Sequence, residues 1–257
     1  MENYSEYLDE AVAWARGAGD ILMDYFRRNN LALTTKQNNF DVVTEADKAS
    51  EAFILARISE RFPSHSVLAE ESGAIGTAGA EWQWVIDPLD GTTNFSQGLP
   101  VFCVSIALQH NGSTVAGVVC APCLGELFEA TRGGGARLNG LPIACSTKTE
   151  PDMMVVATGM PYDRAVNPDN NFANIVGVAP RVRGLRLMGS AAIDLAYTAA
   201  GFLDAYWELN LQPWDVAAGA LIVEEAGGIV EPIRTNRAVS VIAGSREALS
   251  VLRPLIL

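Results

Sequence analysis

The sequence is short of positive charge and of histidine. Lysine and arginine total 18 against 30 aspartates and glutamates, a formal net charge of −12, and the histidines are His65 and His110. A basic footprint for direct nucleic-acid binding is therefore not expected, and an acidic surface repels anionic lipid headgroups. Cysteine is scarce too. Cys103, Cys120, Cys123 and Cys145 do not amount to a disulfide scaffold in 257 residues. Cys120 and Cys123 form a C-x-x-C pair, but it follows the apolar run Val115 to Val119 and precedes Gly125. That context reads as a strand end and turn, not as a redox helix start, and a zinc site would want two further ligands. No stretch reaches about 18 uninterrupted apolar residues, so a transmembrane helix is not expected. The acidic start Met1-Glu-Asn-Tyr-Ser-Glu lacks the basic and apolar regions of a signal peptide. The cytoplasm is the expected compartment.

Hydrophobic residues make up 49% of the chain, enough for an extensive core. The length suits one domain over 1–257, built as two fused α+β halves of roughly 1–145 and 146–257. Leu8, Ala11, Ala15, Ala18, Leu22 and Tyr25 recur at helical spacing, and Arg27 and Arg28 suit the end of that helix. Thr44 and Asp47 form a T-x-x-D start for a second helix with Phe53, Ala56 and Phe62 inward and Pro63 as its stop. Strands are expected at Ser66 to Glu70 and Trp82 to Ile86, with a flexible loop from Gly73 to Ala80 between them. Three more follow: Cys103 to Gln109, Thr114 to Val119 after the turn His110-Asn-Gly112, and Glu126 to Thr131. The second half alternates. A strand starts at Met153, Ser190 caps a helix to Ala200, Ala205 to Glu208 is a strand, and Asp215 to Glu225 is a helix closed by Gly227-Gly228. Strands at Ile229-Val230 and Val239 to Ala243 precede a last helix, Ser245 to Leu255. The first sheet is expected to be mostly antiparallel, the second mixed.

The chemistry concentrates in acidic clusters. In Trp84-Val-Ile-Asp87-Pro-Leu-Asp90-Gly-Thr-Thr-Asn94-Phe95 an apolar strand ends in one aspartate and a second follows three residues later. Pro88 has no N–H, so the strand is expected to stop there. Asp87 and Asp90 can converge on hard divalent cations, which prefer oxygen ligands. The N–H groups of Gly91 and Thr92 can point at a phosphate oxygen at a helix start. Further acids stand in Leu68-Ala-Glu70-Glu71-Ser72-Gly73, in Pro213-Trp-Asp215-Val-Ala-Ala-Gly219, where Asp215 could equally be a plain helix cap, and in Asp41-Val-Val-Thr44-Glu-Ala-Asp47. Other phosphatase chemistries lack their motifs: there is no C-x5-R, no D-x-D at Asp87, no R-H-G start, and no G-K-S/T after Gly133-Gly-Gly135.

In this order E-E-S, D-P-L-D-G-T-T-N-F and W-D-x-A-A-G resemble the inositol monophosphatase family, from Lys36 to about Pro232. The resemblance implies a layered α/β/α/β/α fold of the inositol monophosphatase and fructose-1,6-bisphosphatase type, a homodimer, and two to three Mg2+ ions per subunit. Glu70, Asp87 and the Leu89 carbonyl would hold the first ion, Asp87, Asp90 and Asp215 the second; a third would lean on Glu70. Glu70 and Thr92 would orient the attacking water, with Asp47 accepting from Thr92. Asp90, Gly91, Thr92, Thr93 and Asp215 would line the phosphate side, and Gly189, Ser190, Ala191 and Glu208 the alcohol side. Thr93-Asn94-Phe95 after D-G favours the inositol phosphate branch. Lys36 and Asp41 match a mobile loop near the third metal. The implied activity is Mg-dependent, lithium-sensitive hydrolysis of a small phosphorylated polyol, foremost myo-inositol 1-phosphate. Fructose-1,6-bisphosphatase, nucleotide 3′-phosphatase, histidinol-phosphatase and a non-catalytic regulatory role are the alternatives. Glu45, Gln212-Pro213 and the segment from Gly159 to Val182 depart from the pattern, which leaves the preferred alcohol open.

Overall fold

In the computed structural model the described residues are 4–28, 33–35, 42–234 and 239–256. Lys36 and Asp41 lie outside them.

Helix α1 (Ser5–Tyr25) buries Ala11, Trp14, Ala15, Ala18 and Leu22, the expected stripe with a tryptophan added. It ends at Tyr25, and Arg27 already sits at φ 58°. The arginines therefore lie beyond the last turn instead of in it. β1 (Leu33–Thr35) and β2 (Val42–Thr44) pair antiparallel. Thr44 then caps α2 (Glu45–Arg61): its hydroxyl accepts from Ala46 N, and the Asp47 carboxylate accepts from Thr44 N at 2.8 Å. The buried face of α2 is Asp47, Ser50, Glu51, Ile54 and Ile58. It is not the Phe53–Ala56–Phe62 face, since Ala56 is exposed and both phenylalanines are half-buried. Polar side chains share the true inner face, so apolar spacing alone points to the wrong side.

The first sheet follows: β3 (Ser66–Ala69), β4 (Gly73–Ile75), β5 (Trp82–Asp90), then helix α3 (Thr92–Ser96), β6 (Cys103–His110), β7 (Ser113–Ala121), β8 (Glu126–Thr131), β9 (Gly135–Leu138) and β10 (Leu141–Pro142). Its order is β10-β9-β8-β7-β6-β5-β3-β4, antiparallel throughout except for β3 beside β5. Two expectations fail here. The glycine-rich stretch contributes strand β4, because the edge of β3 is open to receive it. And Pro88 does not stop β5: the ladder with β6 slips between Asp87 and Asp90 and resumes, so the missing N–H falls in the irregularity. The Ser50 hydroxyl donates to the Pro88 carbonyl at 2.8 Å and holds the bulge from α2. The β6–β7 turn places Asn111 and Gly112 at φ 49° and 77°, both positive as a type I′ hairpin requires.

The second sheet comprises β11 (Val155–Thr158), β12 (Gly184–Arg186), β13 (Ala205–Leu211), β14 (Ile229–Pro232) and β15 (Val239–Gly244), in the order β12-β11-β13-β15-β14. It is mixed: β11 is parallel to both neighbours, β15 antiparallel to both of its own. Helices α4 (Phe172–Val178), α5 (Ala191–Ala199), α6 (Pro213–Glu225) and α7 (Arg246–Leu252) complete the order.

Three apolar cores define the layers of this α+β sandwich. α1 and α2 cover the outer face of the first sheet around Trp14, Ile54, Trp84 and Phe102. α5 and α6 fill the space between the sheets, where Ile193, Leu195 and Ile222 meet Val119, Phe128 and Tyr206. α4 and α7 close the far face of the second sheet around Val178, Leu249 and Trp207.

Candidate active site

Strand alternation decides which side chains reach the middle layer. Val67, Ala69, Trp84 and Ile86 face the α1–α2 core, whereas Val85 faces α5 and α6. Asp87, two residues past Val85, therefore turns inward. Glu70, just past Ala69, is brought beside it by the parallel register of Ala69 with Ile86 and by the Glu70 N–H donating to the Ile86 carbonyl. On β13 the same rule sends Trp207 outward and Tyr206 and Glu208 to the middle layer.

Asp90 ends β5, and its Oδ2 accepts from Ser190 Oγ and from Ala192 N, each at 2.7 Å. This joins the first sheet to the start of α5, where Ser190 is the cap. Asp215 is not the cap of α6. Gln212 is, and Asp215, three residues on, accepts from the Gln212 N–H at 2.7 Å. The four acids act on one another. Burial first, then the charges of Glu70, Asp90 and Asp215, hold the Asp87 carboxyl well above its usual range. Burial, then Asp90, does the same to Asp215. Burial raises Asp90 too, against the opposing hydrogen bonds from Ser190 and Ala192. Asp90 and Asp215 keep some exposed surface, so the cluster is not sealed from solvent.

Among the described residues no three Asp, Glu, His or Cys side chains already stand at ligating spacing. Asp90 and Asp215 have turned carboxylate oxygens to local N–H and O–H groups instead. The donor set nevertheless suits a hard divalent cation: it is all oxygen, it is centred on the buried Asp87, and the neighbours that drive Asp87 up are themselves acidic.

Beside these acids the chain makes a tight turn. Gly91 sits at φ 93°, and a Cβ there would lie 2.9 Å from the Val101 carbonyl, so only glycine fits. Thr92 opens α3, with its hydroxyl 3.1 Å from Asp47 Oδ1 and 3.0 Å from the Leu89 carbonyl. The Thr93 side chain is exposed. Asp47 is fully buried; burial pushes its carboxyl up to about 6 in spite of hydrogen bonds from Thr44. Ahead of α5, Gly189 adopts φ 78° before Ser190 and Ala191. Glu208 accepts from the buried Tyr206 hydroxyl at 2.7 Å, and burial pushes it up to about 7. The structure thus brings Asp47 to Thr92, Glu70, Asp90 and Asp215 within electrostatic reach of Asp87, and Asp90 and Asp215 within reach of Glu208.

Several residues around the site carry no sequence signal. Glu51 on α2 accepts from Glu71 N at 2.9 Å and from the Ser72 hydroxyl at 2.5 Å, which fixes the turn after Glu70. Asp194 is 1% exposed, its Oδ1 has no hydrogen-bond partner, and burial and the Glu208 charge raise it well above its usual range. The burial of such groups depends on partners distant in the chain, which spacing does not reveal.

Fold and site together describe a layered α+β protein gathered around a partly buried, oxygen-only acidic cluster. A family model described as the inositol monophosphatase family matches residues 3–254. The Nus factor SuhB of Pasteurella multocida is 45% identical over 224 residues, 87% of this chain and 84% of that protein. The inositol-1-monophosphatase of Synechocystis is 50% identical over 190 residues, 74% and 66% of the two chains. Among solved structures, the extragenic suppressor protein suhB from Bartonella henselae superposes with a TM-score of 0.90 at 39% identity, covering 97% of this chain and 98% of that one. The chain belongs to the inositol monophosphatase family.

Proposed function

We propose that the protein is a magnesium-dependent phosphatase that hydrolyses a small phosphorylated polyol, foremost myo-inositol 1-phosphate, to the alcohol and phosphate. The observation that carries this reading is the gathering of Glu70, Asp90 and Asp215 around the buried Asp87, close enough for their charges to hold its carboxyl well above its usual range. Such a cluster is costly without a cation, and membership of the family supports one. Glu70, Asp87 and the Leu89 carbonyl would hold one ion, Asp87, Asp90 and Asp215 a second, and a third would lean on Glu70. Magnesium, when bound, supplies Lewis acidity toward phosphoryl oxygens and acidifies water.

The remaining work belongs to the chain. Thr92, hydrogen-bonded to Asp47, offers its hydroxyl oxygen to an attacking water, and Glu70 orients that water from the other side. The Gly91 and Thr92 amides receive phosphate oxygens where the left-handed turn presents them. Thr93, Gly189, Ser190 and Ala191 border the ester, and Glu208 accepts hydrogen bonds from the polyol hydroxyls. Positioning and electrostatics supply most of the rate gain, as in other phosphoryl transfers.

The same reading includes lithium sensitivity, a cytoplasmic homodimer, and neither membrane nor nucleic acid as partner; among the described residues no helix is long and apolar enough to cross a membrane. The SuhB relatives are named Nus factors, which favours one second reading, a regulatory binding protein. Phosphate release from inositol 1-phosphate, fructose 1,6-bisphosphate, 3′-phosphoadenosine 5′-phosphate and histidinol phosphate, with magnesium and with a chelator, separates them. The proposal expects the inositol ester to be preferred and activity to vanish on chelation. An inert protein in magnesium would leave the regulatory reading.

A further inference from the structure

Asn94 closes the D-P-L-D-G-T-T-N run, yet the chemistry above gives it nothing to do. Its side chain makes an unusual bridge. Nδ2 donates to the Val101 carbonyl at 2.8 Å and to the Met188 carbonyl at 2.7 Å. Val101 lies in the loop between α3 and β6. Met188 is 94 residues further along and immediately precedes the turn at Gly189. A primary amide has two N–H groups, so both are committed to carbonyls. The Gly189 turn is packed directly on the bridge: a Cβ at Gly189 would lie 3.0 Å from Asn94 Nδ2. One residue later Ser190 donates to Asp90, and Ala192 N donates to the same oxygen. Residues 188–192 are thus held at two points, by Asp90 and by Asn94, both from the segment that carries Gly91 and Thr92.

We propose that Asn94 is a positioning residue for the alcohol half of the substrate. It fixes the separation between the Gly91–Thr92 turn and the Gly189–Ala191 turn, and so selects phosphate esters whose hydroxyls span the distance to Glu208. This rests on the phosphatase reading above. Only an amide suits the place. Aspartate would set a charge against two carbonyl oxygens, and leucine would leave both carbonyls unpaired. Serine is too short to reach both.

The test uses the full chain with Asn94→Ser and, as a second variant of unchanged size, Asn94→Asp. Steady-state rates are measured on inositol 1-phosphate and on p-nitrophenyl phosphate, which has no hydroxyls to place. Hydrogen exchange is followed across residues 188–193 and, as a control, across α2. Both variants are expected to lower the inositol-to-nitrophenyl ratio of kcat/KM about tenfold, mainly through the KM of the inositol ester. Exchange should rise at 188–193 and stay unchanged in α2. A variant that only loosens the fold would slow both esters alike and raise exchange everywhere, and that overturns the proposal. So does an unchanged ratio. If the wild type hydrolyses neither ester, the phosphatase reading fails and the selection falls with it; the bridge between the two turns is then judged on exchange alone, where no difference at 188–193 refutes it.

Discussion

Replacing Asp47 by asparagine should make the metal-free protein more stable and a poorer catalyst at once. Asp47 is fully buried, and its carboxyl is raised from 3.8 to about 6. An acid raised in the folded state contributes most to stability while it is protonated. That contribution is complete below its unfolded value, near pH 4, and is lost as pH rises through about 6. A shift of roughly two units corresponds to about 3 kcal/mol. Asparagine resembles the protonated form and still accepts from the Thr44 N–H, but it serves the Thr44 and Thr92 hydroxyls less well, a loss of about 1 kcal/mol. Asp47→Asn is therefore expected to gain about 2 kcal/mol at pH 8 and to show no gain near pH 4. Urea unfolding in chelator at several pH values reads this difference. Under the phosphatase reading, turnover in magnesium should fall at least about tenfold as Thr92 loses its charged acceptor. A stability difference that is flat with pH, or that shrinks as pH rises, would refute the reasoning.

Asp87→Asn should cost several kcal/mol of transition-state stabilisation, on the order of a thousandfold in initial rate, whereas Glu71→Gln should stay within about threefold; comparable losses in a phosphate-release assay would count against the ligand set. Gly159→Ala would put a methyl group inside van der Waals distance of the Glu208 carboxylate. The KM for inositol 1-phosphate is then expected to rise about tenfold, with little change for p-nitrophenyl phosphate, and equal effects on both esters would remove Glu208 from the alcohol site.

Much of this was legible in the sequence because local chemistry dictated it. The capping box at Thr44, the Asn-Gly hairpin, the Ser190 cap and the strand at Glu126 to Thr131 each depend on residues within a few positions of one another, and the structure has them. The structure brings Glu70, Asp90 and Asp215 within electrostatic reach of Asp87. What spacing missed was set by tertiary partners. β4 exists because β3 offers an edge. β5 crosses Pro88 because the ladder can slip there while Ser50 holds the Pro88 carbonyl. Helix α2 turns Ser50 and Glu51 inward because each has a distant backbone or hydroxyl group to bind. Asn94 is part of a conspicuous motif, yet its bridge to Met188 needs the second half of the chain to be visible.

The position of Asp215 at the start of α6 has a consequence for biosynthesis. The first sheet is complete by Pro142; Asp87 and Asp90 lie in β5 and Glu70 just past β3. Until α6 inserts between the sheets, the three earlier acids are open to water, and their mutual repulsion is weak at high dielectric. Helix α6 thus supplies the fourth carboxylate of the cluster, so a polypeptide that stops short of it cannot display all four acids together.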